Sequence, residues 1–279
     1  MDPASTDPGK MDAAHMDATD RVIDDLAAEH VALEALVADI DEAGWRTATP
    51  AEGWDVADSI SHLHFFDVKA ALAIEDPEGF ARDTAEMMAA FAQGGDPSVA
   101  FGRAVSGGEL LAGWKAKSVA LVLAGRSGDR SRRVPWYGPS MSLASFLTAR
   151  LMETWSHGVD VSDALSRPIV VSPRLKHVAH IGVLARANSY RARGREVPEA
   201  DIRVELAAPD GSTWTWGNES APESVTGPAL DFCLLVTQRR HVADTGLVAE
   251  GDLAAEWLTI AQAFAGPAGP GREPLTDRS

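Results

Sequence analysis

Basic residues are scarce in this chain. Its 279 residues include 25 Lys and Arg against 41 Asp and Glu, which gives a formal net charge of −16. Proteins that bind nucleic acids or anionic membranes present clustered Lys and Arg to phosphate groups. The composition therefore argues against both of these partners. We expect a small-molecule ligand instead, and the charge balance does not indicate an oligomeric state.

The chain contains a single cysteine, Cys233, so no internal disulfide can form. This favours a reducing compartment, and we expect a cytoplasmic protein. Cys233 lies within the apolar run at residues 230–236. Apolar surroundings raise the pKa of a thiol and leave it unreactive, so the sequence predicts a buried structural cysteine and not a nucleophile.

Long hydrophobic runs are also absent. No stretch of 18 consecutive apolar residues occurs, which predicts that no transmembrane helix is present. Residues 1–16 are polar and lack the apolar core of a signal peptide, so we predict a disordered tail there. The Gly- and Pro-rich residues 267–279 are predicted to form a flexible tail.

Residues 17–168 show the apolar spacing of α-helices. The pattern predicts helices at 17–44, 55–75, 77–93, 97–124 and 143–165, with turn and cap residues between them. We expect Gly107-Gly108 to kink or divide the fourth helix. An aromatic loop at 134–139 precedes the fifth, for which Ser140 or Ser142 is the expected cap. These features predict an up-down helical bundle.

Residues 169–266 have a mixed character. We expect one helix at 173–193, followed by a strand at 202–206, where apolar and polar residues alternate. Pro209-Asp210-Gly211-Ser212 is a turn sequence, so residues 213–217 are predicted to form the returning hairpin strand. Further helices are predicted at 227–240 and 253–264. The fold class is therefore α+β, with the helical bundle followed by a small α+β lobe.

Glu153 and His157 are the residues that first suggest chemistry. A spacing of four places them about 40° apart around a helix axis and one turn along it, so both can bind one ion. Imidazole and carboxylate together suit borderline-soft divalent metals. Asp160 is placed to hold the imidazole of His157 through its other nitrogen. Such a pair alone is more often a solvated helix face, so a third ligand from another helix is needed.

The second helix offers two histidines, His62 and His64, as that third ligand. Helical periodicity does not choose between them. His64 lies nearer the stripe formed by Ile60, Leu63 and Asp67. The spacing alone therefore leaves both His62 and His64 as candidates for the third ligand.

The arrangement of these residues resembles the DinB-like superfamily. Gly53-Trp54, then seven residues, then His62-Leu63, and later Glu153-x-x-x-His157-x-x-Asp160, is similar to mycothiol-dependent maleylpyruvate isomerase and its actinobacterial relatives. In that family the His of the His-Leu pair and the Glu and His of the later helix bind zinc. The resemblance therefore implies that His62, Glu153 and His157 are the metal ligands here.

A looser likeness covers the second lobe. Val225-x-Gly227, the run at 231–235 and Arg239 resemble the sterol-carrier-like C-terminal lobe of that family. There an arginine near the end of the helix helps to form the active site, which implies a catalytic role for Arg239. The alternative for Arg239 is compensation of the helix dipole, although its planar guanidinium suits a carboxylate.

Two features differ from the isomerase and look like an uncharacterised actinobacterial subgroup. They are Trp155-Ser156-His157-Gly158 and the aromatic loop at 134–139. Trp136 and Tyr137 of this loop are candidates for lining a pocket, as is His64. These differences affect the expected substrate more than the expected metal site.

Two imidazoles and one carboxylate leave a coordination position open, which is typical of catalytic zinc. In the family that position receives a thiol, which zinc deprotonates. The leading hypothesis is a zinc-dependent transferase or isomerase that uses mycothiol as co-substrate on a small electrophilic metabolite. Two alternatives stay open. One is a thiol-independent metal-dependent hydrolase, isomerase or cyclase. The other is a non-catalytic metal-stabilised binding protein, which a fourth protein ligand such as His64 would favour.

Overall fold

The computed structural model describes residues 17–92 and 96–275. The predicted disordered tail at 1–16 lies outside the described residues, as do the last four residues of the predicted flexible tail.

The N-terminal half is a bundle of helices. They are α1 (Ala18–Val37), α2 (Glu42–Trp45), α3 (Val56–Glu75), α4 (Pro77–Ala92), α5 (Ala100–Ala104), α6 (Gly107–Ser127) and α7 (Leu143–Ala164). Helices α1 and α3 each pack against both α6 and α7. Asp55 begins α3 through a capping box with Asp58, and Ser142 caps α7, because these side chains accept hydrogen bonds from otherwise unpaired N–H groups.

Two of the helices predicted for the bundle, at 17–44 and 97–124, differ from those observed. The first predicted helix ends at Val37, and Asp41 then caps the short α2. The predicted fourth helix is divided into α5 and α6, as Gly107-Gly108 suggested. Ser106 caps α6 there, and a Cβ on Gly107 would lie 2.0 Å from Cδ1 of Trp45. Glycine therefore permits α2 to pack closely on the start of α6.

A short antiparallel pair, β1 (Arg133–Val134) and β2 (Met141–Ser142), brackets the aromatic loop. The C-terminal lobe follows, with α8 (Leu175–Leu184), α9 (Arg186–Arg191), β3 (Ile202–Ala207), β4 (Thr213–Trp216), β5 (Glu223–Pro228), α10 (Ala229–Val236), β6 (Val248–Glu250) and α11 (Asp252–Ile260). The sheet has the order β4-β3-β5-β6, in which β5 runs parallel to β3 and the other pairs are antiparallel.

The predicted hairpin is present as β3 and β4, but three other expectations for this lobe need correction. The single helix predicted at 173–193 is divided into α8 and α9 at Ala185. The helix predicted from Gly227 begins at Ala229, because residues up to Pro228 form β5. The strands β5 and β6 were not predicted: the burial pattern of β5 shows no clean alternation, and β6 has only three residues.

One hydrophobic core runs through both lobes. It joins Phe146 and Trp155 of α7 to Leu175 of α8, Phe232 of α10 and Trp257 of α11. A second cluster lies within the bundle alone, around Ile60, Leu63, Leu110, Trp114 and Val161. Helix α7 contributes to both clusters, so the helix that carries Glu153 and His157 is held from two sides.

Cys233 is fully buried in α10, and burial raises the pKa of its thiol well above its usual range. The prediction of a buried structural cysteine is confirmed. Within the described residues, no helix is long and apolar enough to cross a bilayer.

The described part of the predicted flexible tail makes specific contacts. Arg272 donates hydrogen bonds to the carbonyl oxygen of Pro50 and, at 2.9 Å, to Oδ1 of Asp160. The backbone N–H of Leu275 lies 3.0 and 3.1 Å from the two carboxylate oxygens of Asp244. This segment therefore bridges the lobe and the bundle as far as Leu275.

Candidate metal centre

His62 of α3 and Glu153 and His157 of α7 converge at one place. One ligand atom from each lies within 4.8 Å of the others. Nε2 of His157 is 3.8 Å from Oε2 of Glu153, and the ring centroids of the two histidines are 4.8 Å apart. Zinc ligands lie about 2.0–2.2 Å from the ion, so tetrahedral neighbours are separated by roughly 3.4 Å. The three side chains fit a zinc ion after a small contraction.

Burial keeps both imidazoles neutral. The pKa of His62 is lowered well below its usual value, first by burial; protonation is further opposed by the neighbouring His157, with which it would share the positive charge, and by the charge of Arg150. Burial also lowers the pKa of His157, followed by the charges of Arg239 and Arg150. A neutral imidazole has the lone pair that a metal ligand needs, so the electrostatics of the site match its donor set.

The tautomer of His62 follows from its hydrogen bonds. Nδ1 of His62 lies 3.0 Å from Oγ of Ser98, and that hydroxyl donates to Oδ1 of Asp96 at 2.7 Å. Because Ser98 has one proton and gives it to the carboxylate, its oxygen accepts the proton of Nδ1. Nε2 of His62 is left with the free lone pair. This is how outer partners orient metal-binding histidines, and sequence reasoning missed Asp96 and Ser98 because they lie in the loop before α5.

Asp160 does not hold His157 in the way the sequence suggested. Its Oδ2 is 3.8 Å from Nδ1 of His157, which is too long for a hydrogen bond. Oδ2 accepts a hydrogen bond from Nη2 of Arg239 at 2.7 Å, and Oδ1 accepts one from Arg272 at 2.9 Å. The two arginines draw the carboxylate away from the ring. Within the described residues, the buried Nδ1 of His157 has no hydrogen-bond partner.

His64 does not line the site, which corrects the sequence expectation. Its ring stacks on Phe101, with centroids 4.6 Å apart and an interplanar angle of 25°. Two residues along a helix correspond to a rotation of about 200°, so His62 and His64 leave α3 on opposite sides. Among the His, Cys, Asp and Glu side chains in the described ranges, none adds a fourth ligand to the three.

Trp136 and Tyr137 lie one aromatic ring away from the ligands. Their ring centroids are 6.1 and 6.0 Å from that of Phe66, which itself lies 4.6 Å from His62. Phe66 therefore separates the aromatic loop from His62. Its position, four residues after His62 on α3, is the signal that could have found it.

Trp54 forms another wall of the site. It stacks nearly parallel on His157, with an interplanar angle of 12° and centroids 5.8 Å apart, and its centroid is 5.1 Å from that of His62. The motif that contains Gly53-Trp54 thus places an indole against both imidazoles.

A buried ion pair supports the same two helices. Nη2 of Arg150 on α7 lies 2.9 Å from Oδ1 of Asp67 on α3, and these side chains are only 5% and 0% exposed. Nε1 of Trp114 donates to the other oxygen of Asp67 at 3.2 Å. Sequence reasoning placed Asp67 on the apolar stripe of α3 without a partner, and it missed Arg150.

Arg239 reaches the edge of the site through Asp160. Its Nη2 binds that carboxylate, its Nη1 donates to the carbonyl oxygen of Thr237 at 2.6 Å, and its buried Nε has no hydrogen-bond partner within the described ranges. The structure thus places Arg239 next to His157, although it makes no direct contact with the three ligands.

Comparison with known proteins gives matches for both halves of the chain. Residues 26–162 match the family model described as the mycothiol maleylpyruvate isomerase N-terminal domain, and residues 198–250 match a model described as wyosine base formation. Uncharacterized proteins from two strains of Mycobacterium tuberculosis are each 44% identical over 252 residues, which cover 89% of this chain and 96% of the relative.

Solved structures give a similar fold. Crystal structures of the mycothiol-dependent maleylpyruvate isomerase and of a mutant of it align with a TM-score of 0.53 at 15% identity. The alignment covers 83% of this chain and 92% of the other. At this identity the likeness concerns the fold alone.

The fold and the converging side chains define a helical-bundle protein with a two-histidine, one-glutamate candidate metal centre. The chain belongs to one family with the two Mycobacterium tuberculosis proteins, and its residues 26–162 carry the mycothiol maleylpyruvate isomerase N-terminal domain. The predicted family and fold class are confirmed. In the C-terminal lobe, residues 198–250 match the family described as wyosine base formation. The resemblance of this lobe to a sterol-carrier protein stays a prediction.

Proposed function

We propose that this protein is a zinc-dependent enzyme that uses mycothiol in a transfer or isomerisation reaction on a small electrophilic metabolite. The observation that carries the proposal is the convergence of His62, Glu153 and His157, with no fourth ligand from the described residues. Three protein ligands are typical of catalytic zinc, whereas structural zinc has four. His64 stacks on Phe101 and does not join the three ligands. This disfavours a non-catalytic metal-stabilised binding protein, for which we expect a fourth protein ligand.

The donor set is compatible with zinc. Two neutral imidazoles and one carboxylate are a combination found in catalytic zinc sites, and Ser98 presents Nε2 of His62 by binding its Nδ1. Glu153 has 28% of its side chain exposed, against 9% for His157. It therefore forms the side of the site that faces solvent.

When bound, zinc supplies the positive charge that makes a coordinating thiol lose its proton near neutral pH. The protein's own contribution is to limit water around that thiol. Trp54 and Phe66 place apolar rings against the imidazoles, and a low local dielectric strengthens each electrostatic interaction in the site.

Arg239 supplies the candidate contact to substrate. Its Nε is a buried N–H without a hydrogen-bond partner in the described part of the chain, while Asp160 fixes the rest of the guanidinium. A buried donor without a partner is costly, and an anionic or carbonyl oxygen of a substrate would satisfy it. We therefore propose that Arg239 binds and orients the electrophile beside His157.

The metal is tested first, by elemental analysis of the purified protein. We expect about one zinc per chain, in line with a single three-ligand site, and loss of most of it in His157→Ala. His64→Ala is the matched control, because it removes the same group from the same helix as His62 but outside the site. Equal metal content in all three proteins would refute the site.

The thiol is tested by calorimetric titration of zinc-loaded protein with mycothiol. We expect binding at or below millimolar concentration, and its loss in His157→Ala. A zinc-loaded protein that binds no mycothiol at that concentration would remove the thiol chemistry while leaving the metal centre intact. Turnover without any thiol would then point to the thiol-independent enzyme.

A further inference from the structure

A cleft on the C-terminal lobe lies apart from the metal centre. It has a cavity volume of about 100 Å³ and opens to solvent. Its walls are the ends of α10 and α11, Arg193 behind α9, and residues 270–272 of the C-terminal segment. None of the three metal ligands lines it. Its volume is that of a shallow site for a small ligand or a single charged group.

The lining of the cleft is cationic, although the whole chain carries a net charge of −16. Arg193, Arg240 and Arg272 line it, and no carboxylate of a described residue does. Both Nη atoms of Arg240 lie 2.7 Å from the carboxylate of Asp163, and Arg272 lies 2.9 Å from Asp160. These two acids belong to α7 and are not part of the lining.

Arg193 differs from the other two arginines. In the part of the chain that the structure describes, its hydrogen bond is from Nη1 to the carbonyl oxygen of Ser189 at 3.2 Å, and no carboxylate pairs with it. The pKa of Arg193 is lowered by burial and then by the charge of Arg195. A half-buried guanidinium without a counter-ion has donors in a planar arrangement that matches a carboxylate or a phosphate.

The rest of the lining is partly apolar. Leu235 and Leu258 form buried surface there, beside Val242. Gln238, also in the lining, has a φ of 58°, a left-handed conformation that glycine adopts at much lower cost. This conformation ends α10, where the N–H of Gln238 donates to the carbonyl oxygen of Leu235 and the N–H of Arg239 to that of Leu234, and it sets the position of Gln238 at the cleft.

We propose that this cleft binds a small organic anion, with its carboxylate or phosphate group on Arg193 and its apolar part on Leu235 and Leu258. The proposal is independent of the metal and thiol chemistry, since His62, Glu153 and His157 do not contribute to the cleft. Arg240 and Arg272 are paired with Asp163 and Asp160, so Arg193 is the group that the proposal assigns to the anion.

The test is an NMR titration of the full chain that follows the arginine side-chain Nε–Hε resonances. The probes are benzoate, phenyl phosphate, inorganic phosphate and the neutral benzyl alcohol. We expect benzoate or phenyl phosphate to shift the Arg193 resonance saturably, and benzyl alcohol to bind at least ten times more weakly. The two anionic probes distinguish a carboxylate ligand from a phosphate ligand.

Variants assign the site. Arg193→Gln is expected to raise the dissociation constant at least tenfold, and Arg193→Lys to give an intermediate value because it keeps the charge without the planar fork. Arg191→Gln, an exposed arginine outside the cleft, is the matched control and should bind like the wild type. Three results would each overturn the proposal: no binding of either organic anion, equal binding by Arg193→Gln, or inorganic phosphate binding as tightly as phenyl phosphate.

Discussion

Nδ1 of His62 and Oγ of Ser98 are 3.0 Å apart, and the single hydroxyl proton of Ser98 is donated to Asp96. This relationship selects the tautomer in which Nε2 of His62 faces the candidate metal site. We therefore expect Ser98, which is outside the proposed ligand set, to affect how well a metal ion binds.

Replacing Ser98 with alanine should weaken zinc binding by about 10- to 100-fold, because the orientation and tautomer of His62 are no longer held. Competition with a chelator of known zinc affinity measures the change. Ser162→Ala is the control, since it removes an equally buried hydroxyl from α7 without contacting His62. Unchanged zinc affinity in Ser98→Ala would show that Ser98 has no such role.

The buried pair of Asp67 and Arg150 should contribute strongly to stability. Asp67→Asn leaves the guanidinium of Arg150 buried without a counter-charge, which is expected to lower the free energy of unfolding by about 3–5 kcal/mol. Urea denaturation measures this. Asp24, whose pair with Arg126 is 47% and 48% exposed, provides the comparison, and Asp24→Asn should cost less than about 1 kcal/mol. Equal effects of the two variants would contradict the buried role of Asp67.

The two neighbouring glycines at the start of α6 should respond in opposite ways to alanine. A Cβ at Gly107 would lie 2.0 Å from the ring of Trp45, whereas one at Gly108 meets nothing within 4 Å. Gly107→Ala should therefore destabilise the fold by about 1–3 kcal/mol through overpacking. Gly108→Ala should be neutral or stabilising by up to about 1 kcal/mol because alanine favours the helix. Thermal denaturation of both variants checks the contrast, and a similar loss in both would show that α2 does not pack on α6 in this way.

His30 should make stability depend on pH. Burial is the main cause that lowers its pKa below 6.5 in the folded chain, and the charge of Asp67 only partly opposes this. His30 of the unfolded chain therefore takes up its proton at a higher pH than His30 of the folded chain. The contribution of His30 to the free energy of unfolding is fully present above about pH 6.5, and it is lost as the pH falls towards the folded pKa.

His30→Gln removes this titration, so between pH 7 and pH 5 the variant should lose less of its unfolding free energy than the wild type. Metal-free protein is used for both, because the remaining histidines then contribute equally and cancel in the difference. Parallel pH profiles for the two proteins would exclude a buried neutral His30.

Much of the helical architecture could be predicted from local sequence. Asp55 and Ser142 mark the starts of α3 and α7 because a helix N-terminus needs acceptors for its free N–H groups. The spacing of Glu153 and His157 predicted that they share a face of α7. The strands β5 and β6 were missed because β5 lacks a clear alternation of buried and exposed residues and β6 has only three residues; their pairing with distant strands outweighs weak local preference.

The sequence by itself indicated where the main helices of the bundle lie, which of their faces are apolar, and that α7 carries a histidine and a glutamate with the spacing of metal ligands. The choice of His62 over His64 rested on family resemblance. Only the tertiary structure shows that His64 packs on Phe101, that Ser98 orients His62, and that Asp67 meets Arg150 across 83 residues and Asp160 meets Arg272 across 112. Periodicity reports the direction in which a side chain leaves its own helix. Which group it meets depends on how separate segments pack, and that is a property of the whole chain.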